Sequence, residues 1–270
     1  MGTVMNGKKW AGACVNGKVV SGLAKNGVVF YRKPVSTYKR RIMVGDNLSN
    51  RTIFQDFPDG FYKSGMSDGE QFNLIESNNI NIYEYYTGGS YNVYCGNRTN
   101  SNLLYRYDLV FGRTMTKKDV TTGTYLNATV TEVNENKTYR HLFIEDENIR
   151  PVQVGDVITS NTKFYFTFPD DFSKKVSPQM MAIISAKYSD NSSAMNLWYS
   201  KIASTNNVYF NFYGMSGYSQ ENVYSTNSSG DVTTNISYKN LAVTSPITIS
   251  AINNTDIAKY VLVDTTTLGA

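Results

Sequence analysis

The sequence predicts an all-β protein, an N-terminal three-stranded hairpin arm followed by two tandem, internally duplicated β-sandwich domains. Three observations carry that expectation. The 270 residues hold 21 Tyr, 13 Phe and 29 Asn, with only 18% charged. Aromatic and β-branched residues suit half-buried pleated surfaces, and Asn and Gly supply turns. Asn-Gly pairs recur every ten residues near the N-terminus. The last two-thirds read as one domain written twice.

The arm comes first. Asn6-Gly7, Asn16-Gly17 and Asn26-Gly27 are the preferred pair for two-residue type I′ turns, where both positions need positive φ. Strand-length runs between them predict a three-stranded meander turning at Asn16-Gly17 and Asn26-Gly27, with bulges or close backbone approach at Gly12 and Gly22. Residues 1–45 carry nine of the 26 bases and no acid, which leaves 17 bases against 22 acids, or −5, for the remainder. The chain therefore reads as a basic arm on a mildly acidic body.

Three short strands cannot bury much alone. Trp10, Lys18, Leu23, Lys25, Phe30 and Tyr31 are the expected docking residues. Two readings stay open: the arm folds back on its own chain, or it anchors to a partner or to sister chains, steered by its charge. Nucleic acid is not expected as a partner. Lys39-Arg40-Arg41 closes the arm and reads as a solvated basic linker, so the expected domains are 1–41, 42–150 and 151–270.

The two copies align throughout. Val44-Gly45-Asp46 opens the first and Val154-Gly155-Asp156 the second, followed by Phe57-Pro58-Asp59 and Phe168-Pro169-Asp170. Farther on, Tyr83 answers to Trp198, Tyr94 to Tyr209, and Ala128–Asn134 to Ile247–Asn253, while the offset grows from 110 to 119 as loops lengthen. Alternating segments such as Thr162–Phe168, Asn207–Phe212 and Lys259–Val263 fit strands of an antiparallel sandwich with one wet face. Pro178–Lys187 is the single helix candidate. A residue present in both copies is more easily assigned to the fold, and a residue in one copy is freer to serve function.

The chemistry-bearing residues are sparse. His141, the sole histidine, is expected in a strand spanning Arg140–Glu145, and Tyr260 replaces it in the other copy. With one His and two unmatched cysteines, Cys14 and Cys95, the parts for a zinc site or a His-activated nucleophile are missing, and free buried thiols are expected. Asp56 with Asp59, or Asp170 with Asp171, could form a glycosidase pair, but the Asp59/Asp170 position recurs after the same Phe-Pro in both copies, which indicates a turn. Glu145-Asp146-Glu147 reads as a solvated linker, with cation binding left open. No phosphate-binding loop is present, so no enzyme activity and no cofactor are expected. Sugar-binding vocabulary remains, with Tyr85, Tyr86, Tyr91 and Tyr218 as the glycan-contact candidates, packed loop tyrosines being the plain alternative. Trp198 and Tyr209, matched in both copies, read as sheet or core positions. No leader-like segment opens the chain and no apolar run reaches the ~20 residues of a membrane span, so a soluble protein made in a cytoplasm is expected.

The phrase Val15-Asn16-Gly17-Lys18 through Gly22-Leu23 to Asn26-Gly27 and Phe30-Tyr31 resembles short segments of virion proteins of tailed bacteriophages of Gram-positive hosts, of fibre, baseplate, neck or head-decoration type. The resemblance covers about thirty residues by motif and the rest by composition. It implies a homo-oligomeric structural protein of the virion, assembled in the host cytoplasm. Its partners would be other virion proteins of the capsid, neck or baseplate, and its displayed domains could recognise host cell-wall polysaccharide. A depolymerase and a bacterial surface adhesin are the rivals. An arm of this kind predicts that removing residues 1–41 leaves a folded body.

Overall fold

The computed structural model describes residues 37–57, 67–96, 102–108, 113–117, 119–122, 128–177, 179–202, 205–214 and 217–269, together with strand backbone at 4–5, 8–9, 13–15, 18–20, 22–25 and 28–32. The chain forms two compact units, Met1–Thr37 and Tyr38–Ala270.

The first unit holds β1 (Val4–Met5), β2 (Lys8–Lys9), β3 (Ala13–Val15), β4 (Lys18–Val20), β5 (Gly22–Lys25) and β6 (Val28–Arg32). Among the described residues they form three antiparallel pairs, β1 with β2, β3 with β4 and β5 with β6, with one Asn-Gly in the sequence between the members of each. The two turns expected for the meander, Asn16-Gly17 and Asn26-Gly27, thus fall between paired strands, and a further pair flanks Asn6-Gly7. Gly12, and Ser21 between β4 and β5, lie outside the described residues. The side chains of Trp10, Cys14, Lys18, Leu23, Lys25, Phe30 and Tyr31 lie outside those described.

The second unit begins with β7 (Tyr38–Arg41), β8 (Thr52–Gln55), β9 (Gln71–Ser77), β10 (Asn81–Thr87) and β11 (Ser90–Cys95). It continues through β12 (Asn102–Asp108), β13 (Arg113–Lys117), β14 (Val120–Thr121), β15 (Val130–Val133) and β16 (Leu142–Asp146). These form a six-stranded sheet, β13-β12-β11-β10-β9-β15, and a four-stranded sheet, β14-β8-β16-β7. The next half comprises β17 (Ile149–Pro151), β18 (Val157–Ile158), β19 (Lys163–Phe166), β20 (Met180–Lys187), β21 (Ser193–Ile202) and β22 (Thr205–Gly214). It ends with β23 (Gly217–Thr226), β24 (Val232–Asn235), β25 (Tyr238–Asn240), β26 (Ile247–Ile252) and β27 (Val261–Asp264). Its sheets run β24-β23-β22-β21-β20-β26-β18 and β25-β19-β27-β17. Strand for strand the two halves share one order. At the place of the β18–β26 pair, the first half has an isolated bridge between Asn47 and Thr129.

Each half is a sandwich because both of its sheets feed one core. In the first, Ile53, Leu142 and Ile144 of the small sheet meet Leu74, Ile82, Tyr91 and Val93 of the large one. In the second, Phe164 and Phe166 of β19 meet Phe210 of β22 edge-on, with centroids 5.9 Å apart in both pairs. A buried ring of this kind contributes roughly 1.5–3 kcal/mol. Cys95 is a free thiol in the first core, and burial pushes its pKa up to about 12.

Several expectations change here. Pro178–Lys187 is not a helix: Met180–Lys187 is strand β20, hydrogen-bonded between β21 and β26. Among the described residues the α-helices are one-turn pieces, α1 (Phe172–Lys175) and α2 (Thr255–Ala258). Lys39-Arg40-Arg41 is not a solvated linker but part of β7, paired with β16, and both arginines are buried. The arm therefore ends at residue 37, not 41. Glu145-Asp146-Glu147 is no linker either, since Glu145 and Asp146 end β16 and Ile149 already starts β17.

Candidate functional site

Two features of the double sandwich carry chemistry. The first is built on the repeated Val-Gly-Asp turn. Gly45 and Gly155 adopt φ of +91° and +94°, the left-handed conformation of the third position of a type II turn. The turn is closed by Asp46 N–H to Met43 C=O at 3.1 Å and by Asp156 N–H to Gln153 C=O at 3.2 Å. The aspartate then receives a two-pronged arginine. Arg40 donates to both Asp46 oxygens at 2.6 and 2.8 Å, and Arg150 donates to both Asp156 oxygens at 2.6 and 2.9 Å. Arg40 has an additional partner, donating from Nε to Asp146 at 2.7 Å. Burial works against the Arg40 charge, but Asp46 and then Asp146 outweigh it and hold the guanidinium more firmly protonated than usual. This pairing takes Asp146 out of the supposed acidic cluster. No three-residue group able to hold a metal is found among the described residues.

Arg41 occupies a position that is Pro151 in the other copy, and it joins the two sandwiches. It donates to the Arg140 carbonyl at 3.2 Å in its own half. Across the boundary it donates to the carbonyls of Asn235 and Ile236 at 2.9 and 3.1 Å and to the Asn235 side chain at 2.9 Å. It is 2% exposed, and burial together with the nearby Arg140 charge lowers its pKa to about 10. Beside it, Tyr38 and Met43 pack on Ile149, Tyr165 and Leu262 of the second half, and the Arg40 guanidinium lies 5.2 Å from the Tyr165 ring centroid.

At this joint lies a partly open cavity of about 90 Å³ lined by Arg41, Arg140, His141, Thr167, Asp170 and Lys175 among others. It is polar and large enough to hold waters. His141 is not in a strand: it ends a 3-10 turn (Tyr139–His141), its Nδ1 is 3.0 Å from the Asp56 carbonyl oxygen, and its Nε2 is 3.4 Å from Asp170. Thr167, on the same wall, turns its hydroxyl to the Tyr260 carbonyl at 3.4 Å. Asp170 does more than shape a turn, since it faces Arg140 at 3.5 Å as well as His141. Asp171 pairs with Lys175 at 3.0 Å, and Asp59 lies outside the described residues. The arrangement bonds one sandwich to the other.

Burial would raise the Asp170 carboxyl pKa, but His141, Arg140 and Arg41 outweigh it and hold it below the usual carboxylate value. A depressed folded-state pKa gives stability that is full above the unfolded value near 3.9 and fades as pH falls through the folded one. Stability to urea should therefore decline below about pH 4. Asp170→Asn should cost about 1–3 kcal/mol at pH 7 and flatten that acid slope. Urea midpoints between pH 3 and 7 check both.

The second feature is the outer face of each large sheet. Tyr91 is corrected first: it is fully buried in the first core, donating its hydroxyl to Glu84 and sitting 2.9 Å from the Thr138 hydroxyl. It cannot offer a ring to a ligand. The second sandwich keeps this polar core diagonal with other residues, Tyr199 donating to Asn206 at 2.7 Å. Tyr85 and Tyr86 are half-buried on β10, and Tyr86 packs against the core. The Tyr218 side chain is outside those described.

Trp198 and Tyr209, expected at sheet or core positions, are sheet residues and not core ones. They alternate with the buried Leu197, Tyr199, Val208 and Phe210, so they stand on the outer face, in register opposite each other. Their equivalents Tyr83 and Tyr94 stack with centroids 5.4 Å apart. The period-two alternation around each residue was the available signal.

No family model, curated protein or solved structure matches the chain.

Proposed function

We propose that the chain is a non-enzymatic virion structural protein of a tailed bacteriophage, in which the basic N-terminal segment attaches to other particle proteins and the double sandwich is displayed. The observation that carries this reading is the division of labour in the chain. Residues 1–37 form a unit of small hairpins, and residues 38–270 form two sandwiches of equal strand order clasped through buried Arg41. Hairpins of two to five residues per strand are marginal alone and gain stability against another surface. The basic charge of the segment suits an acidic docking surface. Homo-oligomerisation and location on the virion belong to the same proposal.

Recognition of host cell-wall carbohydrate is the second reading, favoured by the aromatic and amide outer face of the large sheets.

The experiment is a pair of truncations supplied in trans to cells producing the phage that encodes the chain. A chain lacking residues 1–37 should fold with an unchanged thermal midpoint yet be missing from gradient-purified particles that carry the full-length chain. Removing residues 1–41 should instead destabilise the body, because β7 and the donors of Arg40 and Arg41 go with it. Full incorporation of the shorter truncation would defeat the attachment reading.

A further inference from the structure

We propose that the outer face of the large sheet in the second sandwich binds a neutral oligosaccharide, with Trp198 and Tyr209 at its centre. This deepens the glycan-recognition reading above and is independent of how the arm attaches. Outer faces of antiparallel sheets are wetted, and charged or hydroxyl side chains serve there. The middle strands of this face carry a different set. Trp198 stands opposite Tyr209, and Tyr209 opposite Asn222; one row over, Asn196 stands opposite Asn211, and Asn211 opposite Gln220. None of these residues is charged, so neither a phosphate backbone nor an acidic polysaccharide meets a complementary charge. A carboxamide offers both donors and an acceptor, as a sugar hydroxyl does. Aromatic faces supply apolar area with a polar handle at one end, the mixture suited to a pyranose.

A second observation points the same way. Trp198 Nε1 and, on the adjoining row, Ser225 Oγ are buried polar atoms with no hydrogen-bond partner among the described residues. Buried polar groups are ordinarily satisfied, and those left over call for a water, an ion or a ligand group within reach once the side chain shifts. The first sandwich is the weaker candidate, because Tyr83 stands where Trp198 does and is itself buried, 6% exposed.

The chain has two tryptophans, so Trp10→Phe in the full-length protein leaves Trp198 as the only indole. Its emission would be titrated with neutral linear oligomers of glucose, galactose and N-acetylglucosamine, with oligogalacturonate as the charged control. At least one neutral oligomer should shift the emission saturably, and the charged one should not. Asn222→Ala, at an exposed position, and Tyr209→Ala should each weaken binding about tenfold, or about 1.4 kcal/mol, with the thermal midpoint retained for Asn222→Ala. Silence toward every neutral oligomer, preference for the charged one, or binding unaltered in both variants would overturn the proposal. The truncation experiment reads particle attachment alone, so the two can fail separately.

Discussion

Arg41→Ala should separate the two sandwiches into independently melting halves at a cost of about 3–5 kcal/mol. The guanidinium is buried and gives donors to three backbone carbonyls, of Asn235, Ile236 and Phe168, and to one side-chain oxygen of the second half. Truncation leaves these acceptors without a donor in a place where water enters poorly, and each orphaned acceptor costs about 1–3 kcal/mol before any relaxation. Arg41→Met keeps most of the stem and should recover only packing, and Arg41→Lys loses the fork that reaches several acceptors at once. Hydrogen exchange resolved by peptide provides the measurement. In the native chain, β9–β11 and β20–β23 should open together; in the alanine variant the first half should open earlier. Common opening at an unchanged midpoint would show that the apolar contact of Tyr38 and Met43 suffices to join the halves.

The fold was legible where a physical pattern repeats. Composition and alternation gave the all-β class, and two copies with growing offset indicated two sandwiches; the strand orders of the two halves agree. What failed were readings of single segments. Pro178–Lys187 carries apolar residues at spacings that suit either a helix or a buried strand, and pairing with β21 and β26 decides the matter. Lys39-Arg40-Arg41 read as solvated because charge is normally exposed; Lys39 is, and only tertiary partners make the burial of Arg40 and Arg41 tolerable. Yet a clue was present. The offset of 110 that matches Val44 with Val154 also matches Ile42 with Val152 and Arg40 with Arg150. Following it upstream would have placed the start of the body ahead of Arg40.

The candidate site was less legible than the fold. Tyrosine and asparagine raised the expectation of a sugar-binding surface, and the loop tyrosines were chosen because they lacked a counterpart in the other copy. That criterion separates fold from function only when the repeated residue is in the core. Trp198 and Tyr209 are repeated and outward, so repetition there reflects sheet position and not a place in the core. By contrast, Arg41, present in one copy only, serves the joint between the halves. Uniqueness marks whatever the copies do differently, and here one such difference is contact with each other.

Arg40→Ala should cost more than Arg150→Ala, about 3–5 against about 1–3 kcal/mol, although both remove the same fork from the same turn. The duplicated geometry makes each arginine a control for the other. Both support a Gly-containing turn whose aspartate also accepts a backbone N–H, from Met43 at 2.7 Å in one copy and from Gln153 at 2.8 Å in the other. The difference lies in what is left behind. Without Arg40, Asp46 and Asp146, 13% and 14% exposed at their side chains, lose a cation that each contacts; without Arg150, Asp156 alone does. The Arg150 side chain is also more exposed than that of Arg40, 26% against 9%, so solvent already weakens its pairing. Arg40→Ala with Asp146→Asn should be less destabilised than the sum of the two single changes, because the carboxylate stranded by the first is neutralised by the second. Urea unfolding of the single and double variants measures that coupling. Equal costs for Arg40 and Arg150 would mean that Asp146 contributes nothing, and that the turn, rather than the approach of β16 to β7, is what the arginine secures.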